Sequence, residues 1–413
     1  MQPAPRAANG LRKKMNPLLG NLHPYPFEKL RQLLAQNTAA PHPDPISLSI
    51  GEPKHDTPAF IKEVLGASLD GLAAYPPTKG DPVLRETIAQ WIAQRYNIPT
   101  PNPDTQVLPA LGSREALFSF TQAVINPKAN PYVVCPNPFY QIYEGAAILA
   151  GAQPYYINAE AERQFGYNWQ AVPREVWQQT ALVFVCSPGN PAGNVMTLEE
   201  WRTLFALSDE FNFVIASDEC YSEIYFNEKE KPLGGLQAAR QLGRDTYKNL
   251  VSFSSLSKRS NVPGLRSGFV AGDADIMKAF LLYRTYHGSA MSAVVSKASI
   301  AAWNDEHHVA QNRRLYREKF DAILPILQPV LNVEKPQAGF YLWAATPYAD
   351  TQFALDLHTH TGVTVLPGSF LAREAHGVNP GQNRVRMALV AGKQQCIEAA
   401  HRIADFLNQR KQQ

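Results

Sequence analysis

The chain has 413 residues, of which 45% are hydrophobic and 18% are charged, and its formal net charge at neutral pH is +3. This balance is typical of a folded globular protein and excludes a disordered chain. The longest apolar runs, such as Ala181–Cys186, are too short to cross a bilayer. The small net charge gives no reason to expect a nucleic-acid partner, which would need a clustered basic face.

The cysteines and histidines show no metal or disulfide pattern. Four cysteines lie far apart and form no C-x-x-C pair, which favours a reduced, cytoplasmic protein over a disulfide framework. Ten histidines are also scattered, and neither the pair at 307–308 nor the pair at 358 and 360 has the spacing of a zinc motif. We therefore expect no metal site.

Proline-rich loops and a helix are predicted in the N-terminal part. Stretches rich in proline at 41–45, 75–77 and 99–103 cannot lie inside helices and predict loops. Between the last two, the amphipathic segment Asp81–Tyr96 predicts a helix, with Pro82 suited to its first turn.

The middle of the chain alternates between strand and helix patterns. Helices are predicted at 113–124 and 198–212. Short apolar runs predict strands at 105–110, 131–135, 154–157, 181–186, 213–216, 250–253 and 268–271. Buried strands that alternate with helices indicate a mostly parallel sheet in an α/β domain.

After about residue 290 the pattern changes to that of a smaller α+β domain. One long helix is predicted at 292–320 and a terminal helix at 392–408, with short strands near 339–343 and 385–389.

These patterns divide the chain into four parts. Residues 1–14 carry four cations and no apolar segment, so they predict a flexible tail rather than a secretory signal. We expect an N-terminal arm and part of the small domain over 15–55, a large domain over 56–290, and the rest of the small domain over 291–413.

The strongest chemical signal lies in Ser252–Phe269, SFSSLSKRSNVPGLRSGF. Lys258 follows a predicted strand, hydroxyls stand at 254, 255 and 257, and an arginine lies eight residues after the lysine. Taken alone, this composition fits an ordinary solvated surface loop equally well.

Polar residues also follow two neighbouring predicted strands. Asn190 lies in SPGNPAG after the strand at 181–186, and Asp218 ends the next strand, with Tyr221 three residues later. In open α/β sheets, ligands bind outside the carboxyl ends of the strands. Because an isolated Asp is usually a turn former, three polar residues at successive strand ends are more informative. We expect Asn190, Asp218 and Lys258 to converge on one crevice.

These motifs, S-x-S-K-x7-R preceded by N-P-x-G and D-x-x-Y, resemble those of the class I/II aminotransferases, which are fold-type I enzymes dependent on pyridoxal 5'-phosphate (PLP). The resemblance runs from about Met15 to the C-terminus. It implies an α/β fold in which a large domain has a mostly parallel sheet flanked by helices, beside a smaller α+β domain. It also implies PLP as the cofactor, amino acids and 2-oxo acids as small-molecule substrates, and a homodimer.

The resemblance implies roles for the residues around the cofactor ring. Lys258 resembles the lysine that holds PLP as a Schiff base, whose amine must be neutral to react and can later move a proton. Asp218 resembles the carboxylate that keeps the pyridine nitrogen protonated. Asn190 and Tyr221 resemble the pair that hydrogen-bonds the 3′ oxygen. Tyr140 matches the aromatic residue that stacks on the ring, although it could be an ordinary half-buried tyrosine.

Other residues match the family's phosphate contacts. Ser113 and Arg114 begin a predicted helix, so their backbone N–H groups can meet an anion there. Tyr75 resembles the tyrosine that reaches the phosphate of the neighbouring subunit. The remaining matches are Ser255, Ser257 and the charged Arg266.

The substrate's α-carboxylate also has expected partners. Arg386 matches the family arginine for this task, while Arg384 shares its strand face and is the alternative. Gly51 matches a backbone N–H donor to the same carboxylate, where a side chain would obstruct the approach. Asn190 is also expected at this site. Binding could draw the small domain closed.

Two segments narrow the resemblance further. The start MNPLLGNLHPYPFEKLRQLLA and the lysine segment look like those of the bacterial N-succinyldiaminopimelate aminotransferases. The implied reaction is transamination of N-succinyl-LL-2,6-diaminopimelate with 2-oxoglutarate in lysine and diaminopimelate biosynthesis. The extra carboxylates of this substrate need a second basic site. Its candidates, which the sequence does not rank, are Lys79, Arg259, Arg284 and His287.

Three alternatives remain. An aspartate or aromatic amino-acid aminotransferase would share the catalytic residues and differ at the distal end of the substrate. A PLP-dependent C–S lyase of the same fold would release ammonia without an amino acceptor. A regulator built on this fold would need an N-terminal DNA-binding domain, and only 14 residues precede the matched region, so we do not expect one.

Overall fold

The computed structural model describes residues 15–37 and 42–411, so the predicted tail at 1–14 lies outside the described residues. Within the described ranges, no helix is both long enough and apolar enough to cross a membrane.

Strands in the described chain form one large sheet and two small ones. They are β1 (Ile46–Ser47), β2 (Val107–Ala110), β3 (Tyr132–Asn137), β4 (Gln153–Asn158), β5 (Thr180–Cys186), β6 (Val214–Asp218), β7 (Leu250–Ser255), β8 (Gly268–Gly272), β9 (Tyr341–Ala345), β10 (Val363–Thr364), β11 (Leu366–Pro367) and β12 (Arg384–Ala388). The large sheet has the order β2-β8-β7-β6-β5-β3-β4. Its strands from β4 to β7 pair in parallel, whereas β8 is antiparallel to both β7 and β2. The predicted mostly parallel sheet is confirmed.

Helices cover both faces of this sheet. The α-helices of the described chain are α1 (Pro26–Leu34), α2 (Ala59–Ala67), α3 (Pro82–Tyr96), α4 (Ser113–Val124), α5 (Ile142–Leu149), α6 (Arg174–Trp177), α7 (Leu198–Phe211), α8 (Gly235–Gln241), α9 (Leu256–Arg259), α10 (Ala274–His287), α11 (Ala293–Asn304), α12 (His307–Leu327), α13 (Asp350–Thr361) and α14 (Lys393–Lys411). Side chains of β5 alternate between the faces, as a strand requires. Val183 and Val185 pack with α3, α7, α8 and α11, whereas Leu182 and Phe184 pack with α4, α5 and α10.

A second core lies around the small antiparallel sheet of β11, β12 and β9. Helices α12, α13 and α14 contribute its largest buried side chains, among them Phe320, Phe353 and Phe406. The short parallel pair of β1 with β10 joins the N-terminal segment to this part of the chain.

The single helix predicted over 292–320 is wrong. The structure has two helices there, because α11 ends at Asn304 and α12 begins at His307. The carboxylate of Asp305 accepts hydrogen bonds from the backbone N–H of His308 (2.9 Å) and from its ring (2.5 Å). It thereby gives a partner to one of the backbone N–H groups that have none inside the first turn of α12. Helical periodicity alone cannot reveal such a break.

The position of α11 bears on the domain boundary expected at 291. Its buried residues Ala298, Ala302 and Trp303 belong to the core of the large sheet. We therefore propose that the large domain extends to about residue 304 and that α12 opens the C-terminal part of the small domain.

Pairing within the large sheet sets where functional loops begin. Cys186 at the end of β5 lies beside Asp218 on β6, which lies beside Phe253 on β7. The carboxyl ends of these three strands therefore meet at one edge of the sheet, and the segments that follow them leave from that edge.

Candidate active site

A cavity of about 520 Å³ opens at this edge of the sheet, a size suited to a cofactor or small-molecule ligand. The predicted site residues on its wall are Gly51, Ser113, Arg114, Tyr140, Asn190, Asp218, Tyr221, Ser255, Ser257, Lys258, Arg266 and Arg386. Tyr75 is not on this wall, and its side chain is fully exposed. Residues from distant parts of the sequence thus converge on one cavity, and Tyr75 is expected at the phosphate of the neighbouring subunit rather than on this wall.

Lys258 lies in the short helix α9, directly after β7. Its Nζ donates a hydrogen bond to the carbonyl oxygen of Gly51 at 2.5 Å. Burial lowers the pKa of this amine from its ordinary value of 10.5 to about 8, and the positive charges of Arg386 and Arg266 contribute. A sizeable fraction of the amine is therefore neutral near physiological pH, as a nucleophilic amine requires.

Asp218 ends β6 as a buried carboxylate with both oxygens held in place. One oxygen accepts from the Tyr143 hydroxyl at 2.7 Å and the other from the Cys220 backbone N–H at 3.2 Å. Burial raises the pKa of Asp218, and these two hydrogen bonds oppose the rise. A cationic partner inside the cavity would favour the charged form of this carboxylate.

Arg386 joins the small sheet to the cavity. This buried side chain donates to the Asn190 amide oxygen at 2.9 Å and to the Ser49 carbonyl oxygen at 2.9 Å, and it lies over the Tyr341 ring. Its Nε has no hydrogen-bond partner among the described residues. A guanidinium on a cavity wall whose two hydrogen-bond acceptors are both uncharged fits the binding of an anion. Arg384 instead lies over the ring of Phe165.

Gly51 is required at its position because of Tyr341. A Cβ atom at Gly51 would collide with the hydroxyl and ring of Tyr341, and the same hydroxyl shares a hydrogen bond of 2.9 Å with Tyr221. The sequence analysis expects a glycine here for a different reason, namely that a side chain would obstruct the approach of the substrate's carboxylate. Burial raises the pKa of Tyr221 well above its ordinary value, so this hydroxyl keeps its proton.

A second group of residues forms a cradle for an anion. Gly112 has a positive φ of 81° and precedes α4 without a side-chain cap, so the first N–H groups of that helix can meet a ligand. A Cβ at Gly112 would collide with the Arg266 guanidinium. On the other side, the Ser255 hydroxyl accepts from the Ser257 N–H at 3.1 Å and donates to the Ser257 hydroxyl at 2.9 Å.

The side chain of Arg114 does not join this cradle. Its guanidinium donates to the Tyr25 hydroxyl at 2.8 Å and lies 5.5 Å from the centre of the Tyr25 ring and 6.0 Å from that of Tyr140. The sequence places Arg114 at the phosphate through its backbone N–H, and the start of α4 at Ser113 keeps that position.

The four residues considered for a second basic site do not line the cavity. Arg259 is buried between Trp91 and Trp303 and pairs with Glu306. The other three pair elsewhere: Arg284 and His287 with Glu115, and Lys79 with Asp104. Their charges are satisfied within the fold, so they offer nothing to a ligand in this cavity.

Other residues at the site carry no sequence signal of their own. The Tyr143 hydroxyl and the Cys220 backbone N–H hydrogen-bond Asp218. Tyr341 lies on the cavity wall. The buried amide of Asn312 accepts from the His55 ring at 2.7 Å and donates to the Lys258 carbonyl oxygen at 3.2 Å. Only the fold brings these groups to the lysine, because Asn312 lies 54 residues away from it in sequence.

A family model described as "Aminotransferase class I and II" matches residues 43–403. The chain belongs to this family. Its members use PLP, and PLP is the cofactor of this aminotransferase. The fold-type I architecture expected from the sequence is therefore confirmed.

Relatives agree over nearly the full length of the chain. A solved aminotransferase from Neisseria meningitidis is 54% identical, with a TM-score of 0.92 over 95% of this chain and 100% of that one. Aminotransferase AspB of Helicobacter pylori is 33% identical, with a TM-score of 0.87 over 94% and 99%. LL-diaminopimelate aminotransferase of Dehalococcoides mccartyi is 30% identical over 96% of this chain and 100% of its own length.

The donor set of the cavity fits PLP. The cradle at the start of α4 offers N–H groups, hydroxyls and the Arg266 guanidinium to a phosphate. The Lys258 amine, with its pKa lowered to about 8, suits an aldehyde, and the fixed carboxylate of Asp218 suits a protonated ring nitrogen. Both side chains line the same cavity as the cradle.

We predict that covalent capture of PLP by the cofactor-free aminotransferase accelerates as pH rises and levels off above about 8. The lowered pKa of Lys258 means that the amine is protonated and unreactive below this value and neutral above it. The measurement is the growth of the visible absorption band after rapid mixing with PLP at a series of pH values. A rate that continues to rise tenfold per pH unit to about pH 10 would instead indicate an ordinary lysine pKa.

We also predict that Arg386→Ala weakens the binding of all amino-acid substrates by a similar factor, roughly 10- to 100-fold in kcat/KM, through loss of the shared α-carboxylate contact. Arg384→Ala is the matched control, because that side chain lies away from the cavity wall. Steady-state kinetics with several amino donors would test this. A large loss in the control with little change at 386 would show that the wrong arginine was chosen.

Proposed function

We propose that this aminotransferase transfers the amino group of N-succinyl-LL-2,6-diaminopimelate to 2-oxoglutarate, giving N-succinyl-2-amino-6-oxopimelate and L-glutamate in lysine and diaminopimelate biosynthesis. Transamination as such is supported by one observation above all: Lys258, Asp218 and Arg386 share one cavity wall. The succinylated substrate is supported by the two sequence segments, and the diaminopimelate pathway is supported by relatives named for LL-diaminopimelate.

In this proposal Lys258 holds the cofactor and then acts on the substrate. Bound PLP supplies a ring that withdraws electrons from the substrate's α-carbon. With the cofactor bound, the Nζ of Lys258 would take the proton from that carbon and later return one. Asp218 would keep the ring nitrogen protonated, and Tyr221 and Asn190 would hydrogen-bond the 3′ oxygen.

The remaining contacts with the cofactor hold it in place. Tyr140 stacks on the ring, and the anion cradle binds the phosphate. The members of the cradle in this proposal are the backbone of Ser113 and Arg114 and the side chains of Ser255, Ser257 and Arg266.

The substrate's α-carboxylate binds to Arg386, with Asn190 and the backbone of Gly51 beside it. Arg386 lies on β12 of the small sheet, whereas Asn190 follows β5 of the large sheet. Because Arg386 already donates to Asn190 at 2.9 Å, a carboxylate held by both would lie at the junction of the two sheets and exclude water from the reacting carbon.

The active form is proposed to be a cytoplasmic homodimer. Tyr75, whose ring is fully exposed, would reach the phosphate in the partner subunit's cavity. The exposed apolar side chains of Leu69 and Leu72, in the same stretch of sequence, support burial against a second copy. A cytoplasmic location is supported by the free thiols of all four cysteines.

A second candidate is transamination of LL-diaminopimelate without the succinyl group. This reading is favoured by the curated relatives, several of which are LL-diaminopimelate aminotransferases about 30% identical over nearly the whole chain. The two candidates differ in what occupies the distal end of the cavity.

The half-reaction without any oxo acid separates these candidates. Enzyme loaded with PLP is mixed with the succinylated compound, LL-diaminopimelate, glutamate, aspartate or phenylalanine, and loss of the visible band is followed. We expect rapid loss with the succinylated compound and with glutamate, reversed by 2-oxoglutarate. Loss with unsuccinylated diaminopimelate but not its succinyl derivative would favour the second candidate, and loss with aspartate or phenylalanine alone would discard both.

A further inference from the structure

The carbonyl oxygen of Lys258 is bound by a side chain from another part of the fold. Lys258 lies in α9, a helix of only four residues, so this oxygen finds no N–H donor within the helix. The buried amide of Asn312, on α12, donates to it at 3.2 Å. Since α12 packs in the core around the small sheet, this contact ties the backbone of the lysine to the second core.

The hydrogen bonds around Asn312 fix the orientation of its amide. A carbonyl oxygen can only accept, so the amide nitrogen must face Lys258 and the amide oxygen must face the other way. That oxygen accepts from Nδ2 of Asn261 at 3.1 Å and from Nδ1 of His55 at 2.7 Å. The ring of His55 therefore carries its proton on Nδ1.

His55 suits this contact in its neutral form. Its ring lies against that of Tyr316, with 4.6 Å between the ring centres, and its Nε2 is buried with no hydrogen-bond partner among the described residues. Protonation would place a second N–H group at Nε2 without an acceptor. Burial and the positive charge of Lys319 lower the pKa of His55 from its ordinary value of 6.5. The ring therefore stays neutral near physiological pH and donates to Asn312.

The segment that contains His55 also contacts the lysine at its amine. Nζ of Lys258 donates to the carbonyl oxygen of Gly51, four residues before His55, at 2.5 Å. Two residues after His55, the Thr57 hydroxyl donates to the Asn261 carbonyl oxygen at 2.9 Å. One short segment thus holds the amine directly, the backbone through Asn312, and the loop that follows.

We infer that Asn312, oriented by His55, is a positioning residue that holds the backbone of Lys258 so that its amine meets the cofactor's aldehyde. This inference rests on the role proposed for Lys258. Without the amide, the buried carbonyl oxygen would lack its partner and α9 would be free to shift. The start of α4, Arg266 and Asp218 would still bind the ring and phosphate of the cofactor.

The test compares two forms of the cofactor, which are added to the cofactor-free enzyme. PLP has the aldehyde that bonds to the lysine, whereas pyridoxamine 5'-phosphate has an amine there and binds through its ring and phosphate alone. Asn312→Leu should slow the covalent capture of PLP roughly 10-fold, which is the effect of losing one buried hydrogen bond. The rate is followed by the visible absorption band. The Kd of pyridoxamine 5'-phosphate, measured by calorimetry, should remain close to that of wild type.

Two changes at His55 and one control sharpen the comparison. His55→Phe keeps a ring against Tyr316 but loses the donor, so it should also slow capture, whereas His55→Asn places an amide donor near Nδ1 and should restore most of the rate. Gln122→Leu is the matched control. It removes a side-chain amide that donates to the Ala146 carbonyl oxygen at 3.0 Å, away from the cavity wall, and should match wild type with both cofactor forms.

The two cofactor forms separate positioning of the lysine from support of the fold. If Asn312→Leu weakens both forms alike, or captures PLP as fast as wild type, the inference is overturned. Should Asn312→Leu fail to fold, a folded His55→Phe enzyme with the wild-type capture rate would overturn it instead. Borohydride trapping on the wild-type enzyme isolates the proposed function: label on a lysine other than Lys258 would refute the role of Lys258 itself.

Discussion

The parallel pairing of β5, β6 and β7 is the constraint on which the site depends. Cys186, Asp218 and Phe253 lie side by side in this pairing, so the segments that carry Asn190, Tyr221 and the lysine leave the sheet at one edge. A shift of one residue in any of these strands would turn its side chains to the opposite face. The packing on both faces of the large sheet opposes such a shift, because it would force each buried side chain into a space shaped for a different one.

Around this edge, the protein uses burial and a few fixed hydrogen bonds to set the chemistry of its charged groups. Burial lowers the pKa of Lys258 and raises that of Asp218. The two effects are opposite because burial disfavours the charged form of each group. Tyr143 and the Cys220 backbone hold the carboxylate in one orientation, so a bound ring would meet a preorganised partner.

Contacts between the two domains complete the cavity. Arg386 on the small sheet reaches Asn190 and Ser49, and Tyr341 on the same sheet fills the space that a side chain at Gly51 would need. Lys258 in turn donates to the Gly51 carbonyl. The N-terminal segment is therefore held between the lysine and the small sheet, and movement of either part changes the shape of the substrate site.

Much of this could be read from the sequence, and the exceptions share a cause. Strands, the Asp81–Tyr96 helix and the motif residues follow local patterns, so they were predictable. The burial of Arg259 and Arg284 depends on partners far away in sequence, Glu306 and Glu115. From the sequence alone, a cation close to the motif residues can be interpreted as a ligand contact. Only the fold shows that an acidic residue elsewhere in the chain pairs with it.

The central claim is that Lys258 is the residue that bonds to PLP, and reductive trapping tests it most directly. Holoenzyme is treated with borohydride, digested and analysed by mass spectrometry for the peptide that carries the reduced cofactor. The account predicts one labelled lysine, Lys258. Label on another lysine would contradict the assignment, and Lys319, a buried lysine whose pKa burial also lowers to about 8, is the residue to examine first. An enzyme that binds PLP but cannot be labelled would contradict it as well.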